Sequence, residues 1–292
     1  MQIIPGQVST AVLQGYLQGV IAPRPICFAS TVDKEERPNL SPFSFFNIFG
    51  TNPATLIFSP SRRVRDNTTK HTLENLYEVK EVVINMVNYA MVQQTSLASC
   101  EYPREVSEFE KAGFTALASE KVKPFRVKES PVQIECIVRQ IIETGTEGGA
   151  GNLVICEPVM IHISDEVLNE KGGIDPHKLD LVARMGGDYY CRASGDAVFE
   201  VAKPNTALGI GIDALPLHIR NSRILTGNHL GQLANVHEHP VIDPAFEDEH
   251  LKNIFQYYSI APDEMERELH AYAQRLLNEG KVAEAWQVLL AV

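Results

Sequence analysis

Between residues 26 and 163 the chain advances in short apolar runs, each soon closed by proline, glycine or a charged turn. That pattern constrains the fold more than any other feature, because many short strands bury their edges most simply by closing into a barrel. Residues 26–32 (ICFASTV) are rich in apolar and β-branched types, and residues 33–38 (DKEERP) read as a charged turn. Residues 39–49 (NLSPFSFFNIF) read as one further extended run. Pro53 opens residues 54–59 (ATLIFS), a run that suits a strand buried on both faces. Residues 81–87 (EVVINMV) give another strand. In residues 132–138, Val132, Ile134, Cys136 and Val138 alternate with other side chains, and Val159, Ile161 and Ile163 do so in residues 153–163. The link TGTEGGAGN between them reads as a hairpin.

Helices punctuate this series. Val12, Leu13, Tyr16 and Leu17 share one face of a helix over residues 9–20, with Ser9 or Thr10 as N-cap. The Pro23-Arg24-Pro25 stretch then fixes an extended exit. Leu73, Leu76 and Tyr77 define a helix over 68–79, residues 89–99 a short one, and 101–113 a polar excursion with one helical turn. The expected class is mainly β with peripheral helices.

After about residue 200 the character changes. Residues 204–240 are turn-rich and weakly periodic, whereas 248–258, 262–278 and 281–291 read as helices, with Gly280 as a stop. Two domains are expected: 1–200, and 201–292 ending in a helical hairpin. That hairpin has a faint tetratricopeptide-like look, but a single unit is too few for a solenoid, so it reads as a docking or dimerisation appendage.

Composition sets the remaining bounds. Hydrophobic residues make up 44% and charged residues 22%, enough apolar material for a sizeable core. The net charge of −11 disfavours nucleic acid and anionic membrane surfaces as partners. The start MQIIPGQVST does not read as a signal peptide, and no apolar run is long enough for a membrane span. Five widely spaced cysteines suggest reduced thiols in a cytoplasm rather than a disulfide framework.

The stretch PRPICFASTVDKEERPNLSPFSFFNIFGTNPATLIFSPS resembles the opening of flavin reductase-like proteins, which include flavoredoxins and small reductase components of two-component monooxygenases. KHTLENL, EVVINMV and ARMGGDYY follow in the family's order, so the resemblance covers roughly residues 10–195. The family pattern K-D-T reads Lys70-His71-Thr72 here, which leaves the role of position 71 open. The resemblance implies a split β-barrel that binds FMN near a homodimer interface, with NAD(P)H as co-substrate and a monooxygenase or another electron acceptor as partner.

FMN demands a phosphate cradle, hydrogen bonds to the ring's polar edge and a flat apolar bed. Ser59, Arg62, Lys70 and Thr72 are the phosphate candidates, the last two where a helix is expected to begin. They also read as a solvated basic loop with a threonine cap. Ser30, Thr31, Ser41, Ser44 and Asn47 are ring-edge candidates, although each could bond its own backbone instead. Pro42 and Phe43, with Phe45 and Phe46, offer a bed or simply core; alternation puts Phe43 and Phe45 on the face opposite Ser44 and Phe46. Arg24 reads as a flavin or partner-subunit contact, or as a surface ion pair. Arg184 and Tyr189, with Tyr190, could close over the site from a loop made tight by Gly186 and Gly187, or form a plain turn.

Other constellations carry less. His237-Glu238-His239 lacks the spacing that places two imidazoles on one helical face. The glycine run at 148–151 is not a dinucleotide fingerprint, so NAD(P)H would lie against the flavin without a Rossmann domain. Cys27 and Cys100 read as packing thiols. No side chain is needed as acid or base, so no catalytic residue is assigned. An FMN-dependent oxidoreductase is the leading expectation. A non-enzymatic FMN-binding or sensing module is the second, and a split barrel with haem or no cofactor the third.

Overall fold

The computed structural model describes residues 1–203 and 208–291. The chain divides into two compact units, Met1–Phe199 and Glu200–Val292. The first contains α1 (Thr10–Val20), β1 (Cys27–Val32), β2 (Pro38–Phe43), β3 (Phe46–Thr51), β4 (Ala54–Phe58), α2 (His71–Glu78) and β5 (Glu81–Met86). Next come α3 (Val92–Leu97), α4 (Glu108–Ala112), β6 (Ala116–Leu117), β7 (Arg126–Val127), β8 (Val132–Glu143) and β9 (Asn152–Ile163). The unit ends with α5 (Pro176–Leu179), β10 (Val182–Arg184) and β11 (Tyr190–Arg192).

Seven strands form one sheet in the order β2-β1-β5-β8-β9-β4-β3, with every ladder antiparallel. Its two edge strands, β2 and β3, are consecutive in the chain and joined only by Ser44 and Phe45. A link that short forces the edges together, so the sheet curls into a barrel that is split between β2 and β3. The mainly β class expected from the strand pattern is therefore the observed one. The run 39–49, however, is two strands rather than one. Both halves are extended and aromatic, and nothing between them has the composition of a turn.

Burial follows from this curl. Cys27 and Ala29 point into the barrel with Phe43, Leu56, Phe58, Leu76, Val82, Ile84, Val138 and Val154. Phe28 and Leu40 point outward beneath the layer that supplies Met91, Phe109 and Phe114. β1 is thus buried on both faces, which accounts for its apolar residues at successive positions, with Ser30 and Thr31 buried among them. The expectation of two-sided burial for 54–59 fails in part, because β4 buries Leu56 and Phe58 more fully than Thr55 and Ile57. α2 buries Leu73 and Leu76 but leaves Tyr77 half exposed, its hydroxyl bonded to Glu143. Ser9 caps α1, yet Val12, Tyr16 and Leu17 are exposed, as are Val159, Ile161 and Ile163 of β9. Those periodicities are present, but this unit does not bury their apolar faces.

One buried charge tests the barrel's outer wall. The Glu135 carboxylate is fully buried on β8 and accepts from the Glu120 and Lys121 amides, with His162 Nε2 at 2.7 Å. Burial pushes its pKa up, but the amide bonds and His162 outweigh this and hold it below the ordinary glutamate value. A depressed folded-state pKa stabilises the fold above the unfolded pKa, and that stabilisation is lost as pH falls through the folded one. Glu135→Ala is expected to cost about 3 kcal/mol near neutrality, because it strands the two amides. The deficit relative to wild type should shrink in urea melts run below the ordinary glutamate pKa.

The second unit is helical: α6 (Leu217–Arg220), α7 (Gly227–Ala234), α8 (Glu249–Tyr258), α9 (Pro262–Asn278) and α10 (Val282–Leu290). Gly280, at φ +76°, makes the tight connection between α9 and α10. Trp286, Leu269, Ala273, Leu277 and Leu289 pack with Leu233 and Ile219 from α7 and α6. The sequence pattern did not expose α6 or α7. Each is short, and α7 is held by a Thr226/His229 capping box rather than by a long periodic stripe. Part of the weakly periodic 204–240 stretch, residues 204–207, lies outside the described residues. No helix among the described residues is long and apolar enough to cross a membrane.

Candidate functional site

The split in the barrel creates the site. The chain leaves β2 through Ser44 and Phe45, and Phe45 accepts a backbone bond from Ser59 at the end of β4. Ser59 then begins a loop that reaches α2 at His71. The β8–β9 hairpin pins this loop. Ser59 Oγ accepts from the Asn152 amide, Asn152 donates to Pro60 O, and the Arg62 amide and carbonyl bond Ala150 and Gly149. A Cβ at Gly148 would lie 3.0 Å from Arg63 O and 3.1 Å from Val64 O, and Gly149 has φ +94°. The glycine run in the hairpin therefore permits close approach of the arginine-bearing loop.

Pinned in this way, the loop walls an open cavity of about 370 Å3, within the usual size range of small-molecule sites. Its apolar side is Pro42, Phe43 and Phe45, and its polar side includes Ser44, Ser59 and Ser61. Arg62, Arg63, Arg65 and Lys70 bring four cations to the lining, against one acid, Glu101. Arg62 is committed to Asn67 through both Nε and NH2. Arg63 bonds Thr68, Thr69 O and Glu101, while Arg65 bonds Asp66 and Glu101.

Lys70 differs from these arginines. Among the described residues its ammonium has no ion pair and no side-chain hydrogen bond; it lies 5.5 Å from the centre of the Phe43 ring. Burial, then the charge of Arg63, lowers its pKa. A half-buried cation held at such a cost is relieved by an anion. Lys70 is also the N-cap of α2, whose first turn has no side-chain cap, although its carbonyl already accepts from the Leu73 amide and none of the first-turn residues lines the cavity.

The structure gathers Pro42, Phe43, Ser44, Ser59, Arg62 and Lys70 in this cavity. It places the other expected residues elsewhere. Thr31 and Thr72 are buried in one polar network: Asn39 donates to both hydroxyls, Asn75 donates to Thr31, and Arg104 donates to Asn75. The adjoining void, lined by Asp33, Asn39, Asn75 and Arg104 among others, measures about 10 Å3, which is room for a water and not for a flavin. Ser30 is buried on the Phe28 side of β1, Ser41 is buried opposite Ala29, and Asn47 is exposed on β3 with its side chain turned to the Ile48 amide. Arg24 is buried, its guanidinium donating to the carbonyls of Gln18, Ile21 and Met185, with Ser44 Oγ at 3.4 Å. It clamps the end of α1 to the β10–β11 hairpin, rather than forming a surface ion pair. Arg184 stacks on Tyr190 in that hairpin and donates to Gly187 O, and Tyr189 is exposed at its tip; neither lines the cavity. Beside Arg62, the cavity is also lined by Arg63, Arg65 and Glu101, which the sequence pattern does not single out. The density of arginine in SRRVR, directly after a strand, was the available signal.

The chain thus offers a curled, split antiparallel barrel with a cationic cleft beside an aromatic bed, and comparison with known proteins gives the family. Residues 21–180 match the model of the flavin reductase like domain, and the chain belongs to that family. An uncharacterized protein of Aquifex aeolicus is 34% identical over 201 residues, 69% of this chain and 100% of the relative. Nitrilotriacetate monooxygenase component B from Bacillus cereus is 29% identical with a TM-score of 0.64, covering 69% of this chain and 98% of that one. A Shewanella frigidimarina protein described as a flavin reductase with split barrel domain is 25% identical with a TM-score of 0.58, covering 68% and 95%. The family match ends at residue 180, before the helical unit begins at Glu200.

Proposed function

We propose that this chain is an FMN-binding oxidoreductase, acting as an NAD(P)H-dependent flavin reductase or a flavoredoxin-like electron-transfer protein. The observation that carries this reading is Lys70, a partly desolvated cation without an ion pair among the described residues, between an aromatic bed and an arginine-rich loop. The residues present suit the cofactor. Lys70 and the hydroxyls of Ser59 and Ser61 would hold its phosphate. Pro42, Phe43 and Phe45 would give the ring its apolar bed, and Ser44 would offer a polar contact at the bed's edge. When bound, FMN supplies a ring that takes a hydride from a nicotinamide and passes electrons onward. Around it the chain's work is binding, orientation and exclusion of water.

The same reading extends to assembly. The exposed apolar rows on α1, β3 and β9 are surfaces a homodimer would cover, and we propose that arrangement. The likeness to a monooxygenase component B supports a monooxygenase or similar acceptor as partner. Five free cysteines suit a cytoplasmic location. The separate helical unit beyond the family domain favours a second reading, an FMN-binding module that docks a partner without turnover.

Titrating the full chain, stripped of flavin, with FMN and riboflavin and following flavin fluorescence tests the cavity assignment. FMN is expected to bind at least about tenfold more tightly. Equal affinities would remove the phosphate role from Lys70, and binding of neither would end the flavin reading.

A further inference from the structure

The cavity holds more positive charge than one phosphate uses. Lys70, with the hydroxyls of Ser59 and Ser61, already answers a single phosphate in the proposed reading, and Arg62 spends its donors on Asn67. Arg63 also bonds Thr68 and the Thr69 carbonyl, and Arg65 also pairs with Asp66, but the two guanidiniums converge on one further carboxylate. Arg63 Nε lies 2.8 Å from Glu101 Oε1, and Arg65 bonds Glu101 Oε2. Two guanidiniums gripping the two oxygens of one anion is an arrangement that also suits a phosphate.

The bridge is built to exchange. The Arg65 side chain is 65% exposed and that of Glu101 44%. The Arg65–Glu101 pair is open enough to contribute little, so a phosphate oxygen can take the carboxylate's place there at small cost, while Arg63, 20% exposed, is the more buried half of the grip. The pair also sits next to the first phosphate position. Arg63 donates to the carbonyl of Thr69, the residue before Lys70, and its charge is felt at Lys70.

We propose that Arg63 and Arg65 form a second phosphate subsite beside Lys70, and that the Glu101 carboxylate is the group an incoming phosphate displaces. This rests on the flavin reading of the same cavity. The ligand is a nucleotide with one phosphate more than FMN or NADH. Two sources present that chemistry: the diphosphate of a flavin dinucleotide and the 2′-phosphate of NADPH. Glu101 then sets a selectivity, because it excludes weak anions and yields to a well-placed phosphate.

The test uses the full chain and two exposed-site variants, Glu101→Gln and Arg65→Ala. Dissociation constants are measured for riboflavin, FMN, FAD, NADH and NADPH. Glu101→Gln is expected to raise the preference for the extra phosphate by about five- to tenfold, and Arg65→Ala to lower it by a similar factor. A shift in the FAD-to-FMN ratio assigns the subsite to the flavin diphosphate, and a shift in the NADPH-to-NADH ratio assigns it to the 2′-phosphate. If neither ratio moves in either variant, the proposal is overturned. If FMN binds no more tightly than riboflavin, the flavin reading has failed instead. Inorganic pyrophosphate then decides the subsite alone: binding that weakens in Arg65→Ala supports it, and absent or unchanged binding overturns it.

Discussion

Lys70→Ala is expected to weaken FMN binding about 10- to 100-fold and to change riboflavin binding less than about threefold, the range of one charge-assisted hydrogen bond in a partly dry site. The two ligands share the ring and differ in the phosphate, so their ratio isolates what the ammonium does. The apo fold should not suffer. Lys70 makes no side-chain cap for α2, and its charge is disfavoured by burial and by Arg63. The melting temperature of the flavin-free variant is therefore expected to hold or rise. Lys70→Arg keeps the charge but changes its shape, and should recover part of the FMN preference. Fluorescence titration reads the affinities and circular dichroism the melting. An equal loss for both flavins would show that Lys70 shapes the apolar bed and does not receive the phosphate.

The second large effect is expected in the helical unit. Trp286 is fully buried on α10, packs among Leu233, Leu269 and Leu289, and donates from Nε1 to Leu233 O at 3.1 Å. Trp286→Ala removes the largest side chain of that core and leaves the carbonyl without its donor. The cost should be about 3–5 kcal/mol, with Trp286→Phe intermediate. A loss of that size is a large part of the stability of a small unit. Hydrogen exchange should accelerate through α7, α9 and α10. Trp286 is the chain's one tryptophan, so wild-type intrinsic fluorescence during urea unfolding follows this unit specifically. Unchanged exchange in α9 and α10 would mean that the core tolerates the cavity by collapsing.

These expectations depend on features the sequence disclosed unevenly. Local pattern was enough for α9, α10 and the Gly280 turn, because a helical stripe and a glycine in the left-handed region are written within a few residues. It was also enough for β1 and for the family resemblance. The corner at Ser44–Phe45 was not legible, since its geometry comes from closure of the sheet by strands far away in the chain. The hydroxyls misled for the same reason. Thr31 and Thr72 look like ligand contacts beside their neighbours, but their partners are Asn39 and Asn75, brought in by the curl of β2 and the docking of α2. Arg24 sits in a recognisable word, yet three backbone carbonyls, one of them in the distant β10–β11 segment, decide what it does. Lys70, Ser59 and Phe43 line one cavity because one short stretch, the end of β2 through the start of α2, supplies most of its wall.

The central claim is that this cavity holds a flavin that a nicotinamide can reduce. The most direct measurement is the visible spectrum of the full chain loaded with FMN, recorded without oxygen before and after addition of NADH or NADPH. Bound flavin absorbing near about 450 nm and bleaching on addition of one nicotinamide is the expected result. Flavin that stays bound and coloured with both nicotinamides would contradict the reductase and favour a binding module, and a protein that cannot take up FMN would contradict the account at its base.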